Sequence, residues 1–196
     1  MSMQVNPRDI GKQFVWIDLE MTGLESEYDV IIEIATIITD SNMNIIDQGP
    51  EFVIHQPDQK LDSMIDIVKN MHQKSGLIEK SRHSTITLEY AQQKTLEFII
   101  KYCKKNTAYL AGNSVWQDLI FLKKYMPAIP EYLHYRIIDV SSVKMLVRSW
   151  YPQDPRKDFK KPQTHRAMSD IQESIDELKW YKRNFFIPLP PRNETR

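Results

Sequence analysis

Apolar residues dominate the first third of the chain. QFVWIDL (13–19), VIIEIATIITD (30–40) and IIDQGPEFVIHQ (45–56) are rich in β-branched and aromatic residues. Such runs predict strands. Ser41-Asn42-Met43-Asn44 reads as a turn between the second and third, and Gly49-Pro50 predicts a bulge or break inside the third. Three strands in succession with short turns predict an antiparallel meander.

The pattern then becomes helical. Residues 62–74 predict one helix. TLEYAQQKTLEFIIKYCKK (87–105) predicts another, with Leu88, Ala91, Thr95, Phe98, Ile99 and Tyr102 at helical spacing. Lys101, Lys104 and Lys105 stand in its last turn, where they suit the helix dipole. AYLAG (108–112) predicts a short strand, and Gln117–Met126 a helix stopped by Pro127. RIIDV (136–140) predicts a strand, 141–150 a helix, and 166–184 a last helix after the polar loop PQDPRKDFKKPQT. The order is a meander followed by αβαβα. The expected fold class is α/β, as one domain over 1–186. The proline-rich IPLPPRNETR (187–196) reads as an extended or disordered tail.

A length of 196 residues with 41% hydrophobic content suits a single domain with a real core. Lys plus Arg and Asp plus Glu number 26 each, so the formal net charge is zero. Proteins that grip long nucleic acid usually carry a basic excess. Any polyanion bound here is therefore expected to be short or held locally. Cys103 is the single cysteine, which excludes an internal disulfide and a cysteine zinc site and fits a reducing compartment. MSMQVNPRDIGKQ has no apolar stretch of signal length, and no run approaches the roughly 18 apolar residues of a membrane span. The expectation is a soluble, cytoplasmic protein with no membrane partner.

VWIDLEMTGL (15–24) places Asp18 and Glu20 inside an apolar run. Residues i and i+2 of a strand share a face, with Cα atoms about 6–7 Å apart. Two carboxylates that close repel unless a cation lies between them. A hard divalent cation with oxygen ligands answers that need; an exposed strand edge is the plainer reading of the pair alone. Asp118 opens a helix, where an Asp is also an ordinary cap. Asp170 stands early in the last helix, in HRAMSDIQESI. His165 precedes it by five residues, which in an unbroken helix leaves the two about 140° apart. They face one site only if His165 lies at or before the helix start.

WIDLEMTGL, AGNSVWQDLIFL and HRAMSDIQESI, together with KYMP and HYRIIDVSS, resemble in order and wording the DEDDh exonucleases of the ribonuclease H-like superfamily, and within them the oligoribonuclease family. The resemblance runs from about residue 13 to 186. It implies a mixed β-sheet, antiparallel meander plus parallel strands, flanked by helices. It implies Asp18, Glu20, Asp118 and Asp170 as ligands of two divalent ions, Mg²⁺ or Mn²⁺, with His165 as general base. It implies hydrolysis of very short single-stranded RNA, dinucleotides above all, from the 3′ end to nucleoside 5′-monophosphates. Leu24 is implied as a wedge between bases, though a turn hydrophobe is its ordinary reading. Ser114, Arg136 and Ser141 are implied as a cradle for the 5′ phosphate, a role that an Arg with two hydroxyls can fill; Arg136 alone would be a surface charge. His72 and Tyr135 are implied substrate residues, Tyr135 acting at the neighbouring subunit's site of a homodimer.

Three positions depart from the family pattern. Trp116 stands where a small residue is expected, Ser169 where an acid is usual, and Ile67 where bacterial members carry Trp. None removes a catalytic group. A DNA exonuclease of the same superfamily shares all five catalytic residues and is the competing enzyme. A non-catalytic nucleic-acid-binding module is the competing class, against which the intact acid set argues.

Overall fold

The computed structural model describes residues 10–160 and 166–186. His165 and the tail 187–196 lie outside the described residues. A five-stranded sheet in the order β3-β2-β1-β4-β5 forms the centre. β1 (Gln13–Met21), β2 (Ile31–Asp40) and β3 (Ile45–Val53) make the expected antiparallel meander, and β4 (Tyr109–Gly112) and β5 (His134–Asp139) add in parallel beside β1. The class is the expected α/β.

Gly49 and Pro50 do interrupt the ladder: Ala35 pairs with Glu51 and Ile37 with Gln48, leaving an extra residue in β3. A larger irregularity lies in β5. Tyr109 pairs with His134 but Leu110 with Ile137, so Tyr135 and Arg136 bulge out of register.

The helices are α1 (Asp58–Asp62), α2 (Asp66–Lys74), α3 (Leu77–His83), α4 (Leu88–Tyr102), α5 (Val115–Tyr125), α6 (Ala128–Tyr132), α7 (Val140–Trp150) and α8 (Ala167–Phe185). The helix expected over 62–74 begins only at Asp66, because Ile65 is extended (φ −65°, ψ 152°), and a separate short helix, α1, ends at Asp62. Leu61 and Met64 on either side of Ser63 bury against Ile32, Leu77 and Ile78 in a satellite core. α4 stops at Tyr102 and Cys103 is extended, so Lys104 and Lys105 fall beyond the helix. α3 and α6 are too short for a periodic signal.

Strand alternation divides the core. Val15, Ile17 and Leu19 of β1 pack with Ile34 and Ile38 against α4, α5 and α6. Trp16 faces the other side with Ala35 and Ile37, against Val140 and Val147 of α7 and Ile171 and Ile175 of α8. Asp18 and Glu20 continue the Trp16 face toward the carboxyl end of β1. There β1 has outrun its neighbour, since β4 pairs with it only over Phe14–Trp16. Gly112 ends β4 so close that a Cβ there would lie 3.1 Å from the Ile17 carbonyl oxygen. The carboxyl ends of β1, β4 and β5 thus open on one edge, the position at which α/β sheets bind ligands.

Candidate active site

Oxygens of Asp18, Glu20 and Asp170 lie within 4.8 Å of one another. β1 supplies the first two and the first turn of α8 the third. Asp118 arrives from α5, where its Oδ1 accepts the Leu19 N–H at 3.0 Å. That bond fixes the acid beside β1, so Asp118 is more than a cap on its own helix. All four acids therefore meet at the end of β1.

Burial and mutual repulsion raise the acids of the cluster. Burial pushes Asp18 well above the usual carboxylate range, and the charges of Asp118, Glu20, Asp170 and Glu33 push it further. Glu20 rises to about 8, first through burial and then through repulsion by Asp170 and Glu33. Asp118 rises to about 7 through burial, held back by the Leu19 N–H. Converging carboxylate oxygens that resist ionisation, with no thiolate among them, fit a hard divalent cation such as Mg²⁺ or Mn²⁺.

Sequence reasoning missed the residues that aim Asp170. Glu33, opposite Glu20 across the β1–β2 ladder, is fully buried. Its carboxylate accepts Arg166 Nη2 at 2.7 Å and Nε at 3.1 Å, and also the Ala167 N–H at 3.1 Å. Arg166 also reaches Glu51 at 2.8 Å. The start of α8 is thereby pinned to β2. The available signal was a lone acid in the otherwise apolar VIIEIATII. Arg166 is the N-cap residue of α8, and Ala167 its first residue.

The expected substrate residues divide. Ser114, in the left-handed region at φ 51°, brings its hydroxyl 3.1 Å from that of Ser141. Asp139 Oδ1 accepts the N–H groups of both, at 3.1 and 2.8 Å. Arg136 does not join them: among the described residues it makes no hydrogen bond to either serine. It lies three strand residues, about 10 Å, before Asp139, and its guanidinium sits 4.7 Å above the ring of Tyr135. Tyr135 is 75% exposed.

Leu24 is 65% exposed, on a loop braced from α5 by Gln117 Nε2, which donates to the Leu24 carbonyl at 2.6 Å. His72 is fully buried, with Nε2 2.9 Å from the Met21 carbonyl and Nδ1 3.9 Å from Glu20 Oε2. It supports the end of β1 from beneath. Trp116, 53% exposed, projects from the first turn of α5, and Ile67 is exposed on α2.

The whole arrangement is that of a hydrolytic exonuclease. The model of the family described as "Exonuclease" matches residues 15–178. The fold agrees: E. coli exonuclease I in complex with a 5cy-dT13 oligonucleotide superposes with a TM-score of 0.68 at 17% identity, over 89% of this chain and 41% of that one. This chain thus spans about two fifths of the length of such structures. Among curated relatives, human "Oligoribonuclease, mitochondrial" is 51% identical over 90% of this chain and 75% of its own length. "Oligoribonuclease" of Corynebacterium glutamicum (strain R) is 46% identical over 91% and 82%, and "Probable oligoribonuclease" of Dictyostelium discoideum 51% over 89% and 91%. The chain belongs to the oligoribonuclease family of exonucleases.

Proposed function

We propose that this protein is a 3′→5′ exoribonuclease of very short RNA, with 5′-phosphorylated dinucleotides as its preferred substrate. The observation that carries the reading is the meeting of Asp18, Glu20 and Asp170 within 4.8 Å, completed by Asp118 at the end of β1. When bound, two divalent ions, Mg²⁺ or Mn²⁺, supply the positive charge that acidifies water and stabilises the departing oxygen. The protein's part is to hold and orient. Asp18, Glu20, Asp118 and Asp170 would hold those ions and through their charge set the last phosphate. His165 takes a proton from the attacking water at neutral pH, where an imidazole can serve as a base. The water oxygen bonds to phosphorus and the P–O3′ bond breaks. The 3′-terminal nucleoside leaves with its 5′ phosphate, and the 3′ oxygen of the shortened chain takes a proton from solvent to become a hydroxyl.

Leu24 bounds the base side, on the loop that Gln117 braces. Ser114 and Ser141 hold the 5′ phosphate one nucleotide from the acids. Their neighbouring hydroxyls support this role. The protein acts as a homodimer in which Tyr135, on its bulge, reaches the partner's site and Arg136 travels with it. The separation of Arg136 from the serines of its own chain supports that arrangement, as does an apolar cleft beside Tyr135 lined by Leu119, Pro127, Pro130 and His134.

Cytoplasmic action is part of the same proposal. No helix among the described residues is long and apolar enough to cross a membrane, and the mammalian relatives carry the word mitochondrial in their names. Cell fractionation separates the two locations.

The functional test is competition between a 5′-phosphorylated dinucleotide, an RNA of roughly ten nucleotides and a DNA primer, each with Mg²⁺, Mn²⁺ or chelator. The dinucleotide is expected to give the highest kcat/KM, and chelator to stop the reaction. Equal kcat/KM on dinucleotide and longer RNA would mean an open groove. Preference for the primer would favour the DNA exonuclease reading.

A further inference from the structure

Asn113 stands between β4 and α5, and its side chain joins the two ends of the site. Its Nδ2 donates to Ser174 Oγ at 2.7 Å and to Glu177 Oε2 at 3.1 Å. Ser174 Oγ in turn donates to the backbone carbonyl of Asp170 at 2.7 Å. On the other side, Asn113 Oδ1 accepts the Ser141 hydroxyl at 3.1 Å, and Ser141 Oγ accepts the Ser114 N–H at 3.0 Å. Four hydrogen bonds thus run without interruption from the carbonyl of Asp170, one of the clustered acids, to the serine pair.

The amide has one allowed orientation. Glu177 is fully buried, and its Oε1 accepts Lys144 Nζ at 2.9 Å and the Tyr181 hydroxyl at 3.0 Å. Turning Asn113 over would set its carbonyl oxygen against the Glu177 carboxylate and its NH₂ against the Ser141 hydroxyl. Both Nδ2 hydrogens are used as it stands, and the oxygen has a donor. Ser174 and Glu177 are buried and Asn113 is half-buried, and a side chain with all its polar groups partnered in this way is held in place. Without Asn113 the backbone of the serine turn would still be tied through Asp139, so what the side chain adds is the position of the Ser141 hydroxyl relative to Asp170.

We propose that Asn113 is a positioning residue that sets the distance between the acid cluster and the serine pair, and through it the preferred substrate length. The inference rests on the reading of Ser114 and Ser141 as ligands of the 5′ phosphate. A dinucleotide presents its terminal phosphate one nucleotide from the bond that is cut. A fixed span between acids and serines matches that one length. A longer RNA places an internal diester there, with less charge and a continuing chain, and gains less from the same hydroxyls.

The test compares wild type, Asn113→Ala, Ser174→Ala and Ser141→Ala on three substrates: 5′-phosphorylated dinucleotide, 5′-hydroxyl dinucleotide and RNA of roughly seven nucleotides. Equilibrium Kd is measured in an Asp18→Asn background, which binds without cutting. Asn113→Ala is expected to raise KM and Kd for the phosphorylated dinucleotide about tenfold, the scale of one well-made hydrogen bond, and to change the other two substrates less than about threefold. Ser141→Ala is expected to do the same, and Asn113→Ala with Ser141→Ala little more than either alone. Ser174→Ala removes a single hydroxyl and keeps the inference testable if Asn113→Ala does not fold; it is expected to weaken discrimination by about threefold. A wild type blind to the 5′ phosphate would overturn the phosphate reading and this inference with it. A discriminating wild type, combined with variants that lose affinity equally on all three substrates, would overturn the inference alone.

Discussion

The carboxylate of Glu33 holds Arg166 by two nitrogens, 133 residues away in the chain, while also accepting the N–H of Ala167. β2 is thereby locked to the first turn of α8, which carries Asp170. Removing the charge of Glu33 frees that turn. Glu33→Gln is expected to lower kcat by about 10–100-fold, the cost of misplacing a reacting group by an ångström or less, with a much smaller change in KM. Arg166→Gln should act alike, and the double variant should lose little more than either single one. Additive losses in a double-mutant cycle would show that the two residues act separately.

The acids also set a pH dependence of stability. In the folded chain without cations Glu20 titrates near 8 against 4.5 for the free group, and Asp118 near 7 against 3.8. Between those values the native state holds more protons than the unfolded state, so stability falls as pH rises. Melting temperature in chelator is therefore expected to drop between about pH 5 and pH 8. Saturating Mg²⁺ or Mn²⁺ should recover stability, most at the alkaline end where the acids are ionised and ready to bind. A chelated protein that gains stability across that range would contradict the burial, and for Glu20 the repulsion, that raise these acids.

His165→Ala is expected to slow turnover by about 10²–10⁴-fold while leaving substrate affinity nearly unchanged. Part of the rate should return as the pH is raised and hydroxide replaces the missing base. An unchanged rate at neutral pH would remove His165 from the proton transfer.

Asp18→Asn is expected to abolish hydrolysis without loss of fold, because it removes charge and not volume. Tyr135→Ala should be impaired for a different reason, the loss of a group given to the neighbouring site. Mixing the two inactive proteins should restore part of the activity, since some mixed dimers hold one complete site. Sedimentation that shows an active monomer at assay concentration would rule out sharing across an interface.

Much of this protein is local and was legible in the chain. Strand periodicity put Asp18 and Glu20 on one face before any fold was known, because alternation is a property of the extended backbone. The meander, the bulge at Gly49-Pro50 and the helical start near residue 166 follow from composition and turn chemistry. Other features have no local signature. The break at Ile65 arises because Leu61 and Met64 both find a place beneath Ile32. Asp118 reads as a cap until the Leu19 N–H is seen to hold it.

The sequence by itself thus determined the strand face shared by Asp18 and Glu20 and, through its family wording, pointed to Asp118 and Asp170 as their companions. The tertiary structure alone decided how they are aimed. Glu33 and Arg166 are 133 positions apart, and Asn113 and Ser174 are 61 apart. No period or propensity links such pairs. They come together because burying a charge or an amide costs free energy unless a partner is in place, and the fold supplies that partner from a different element.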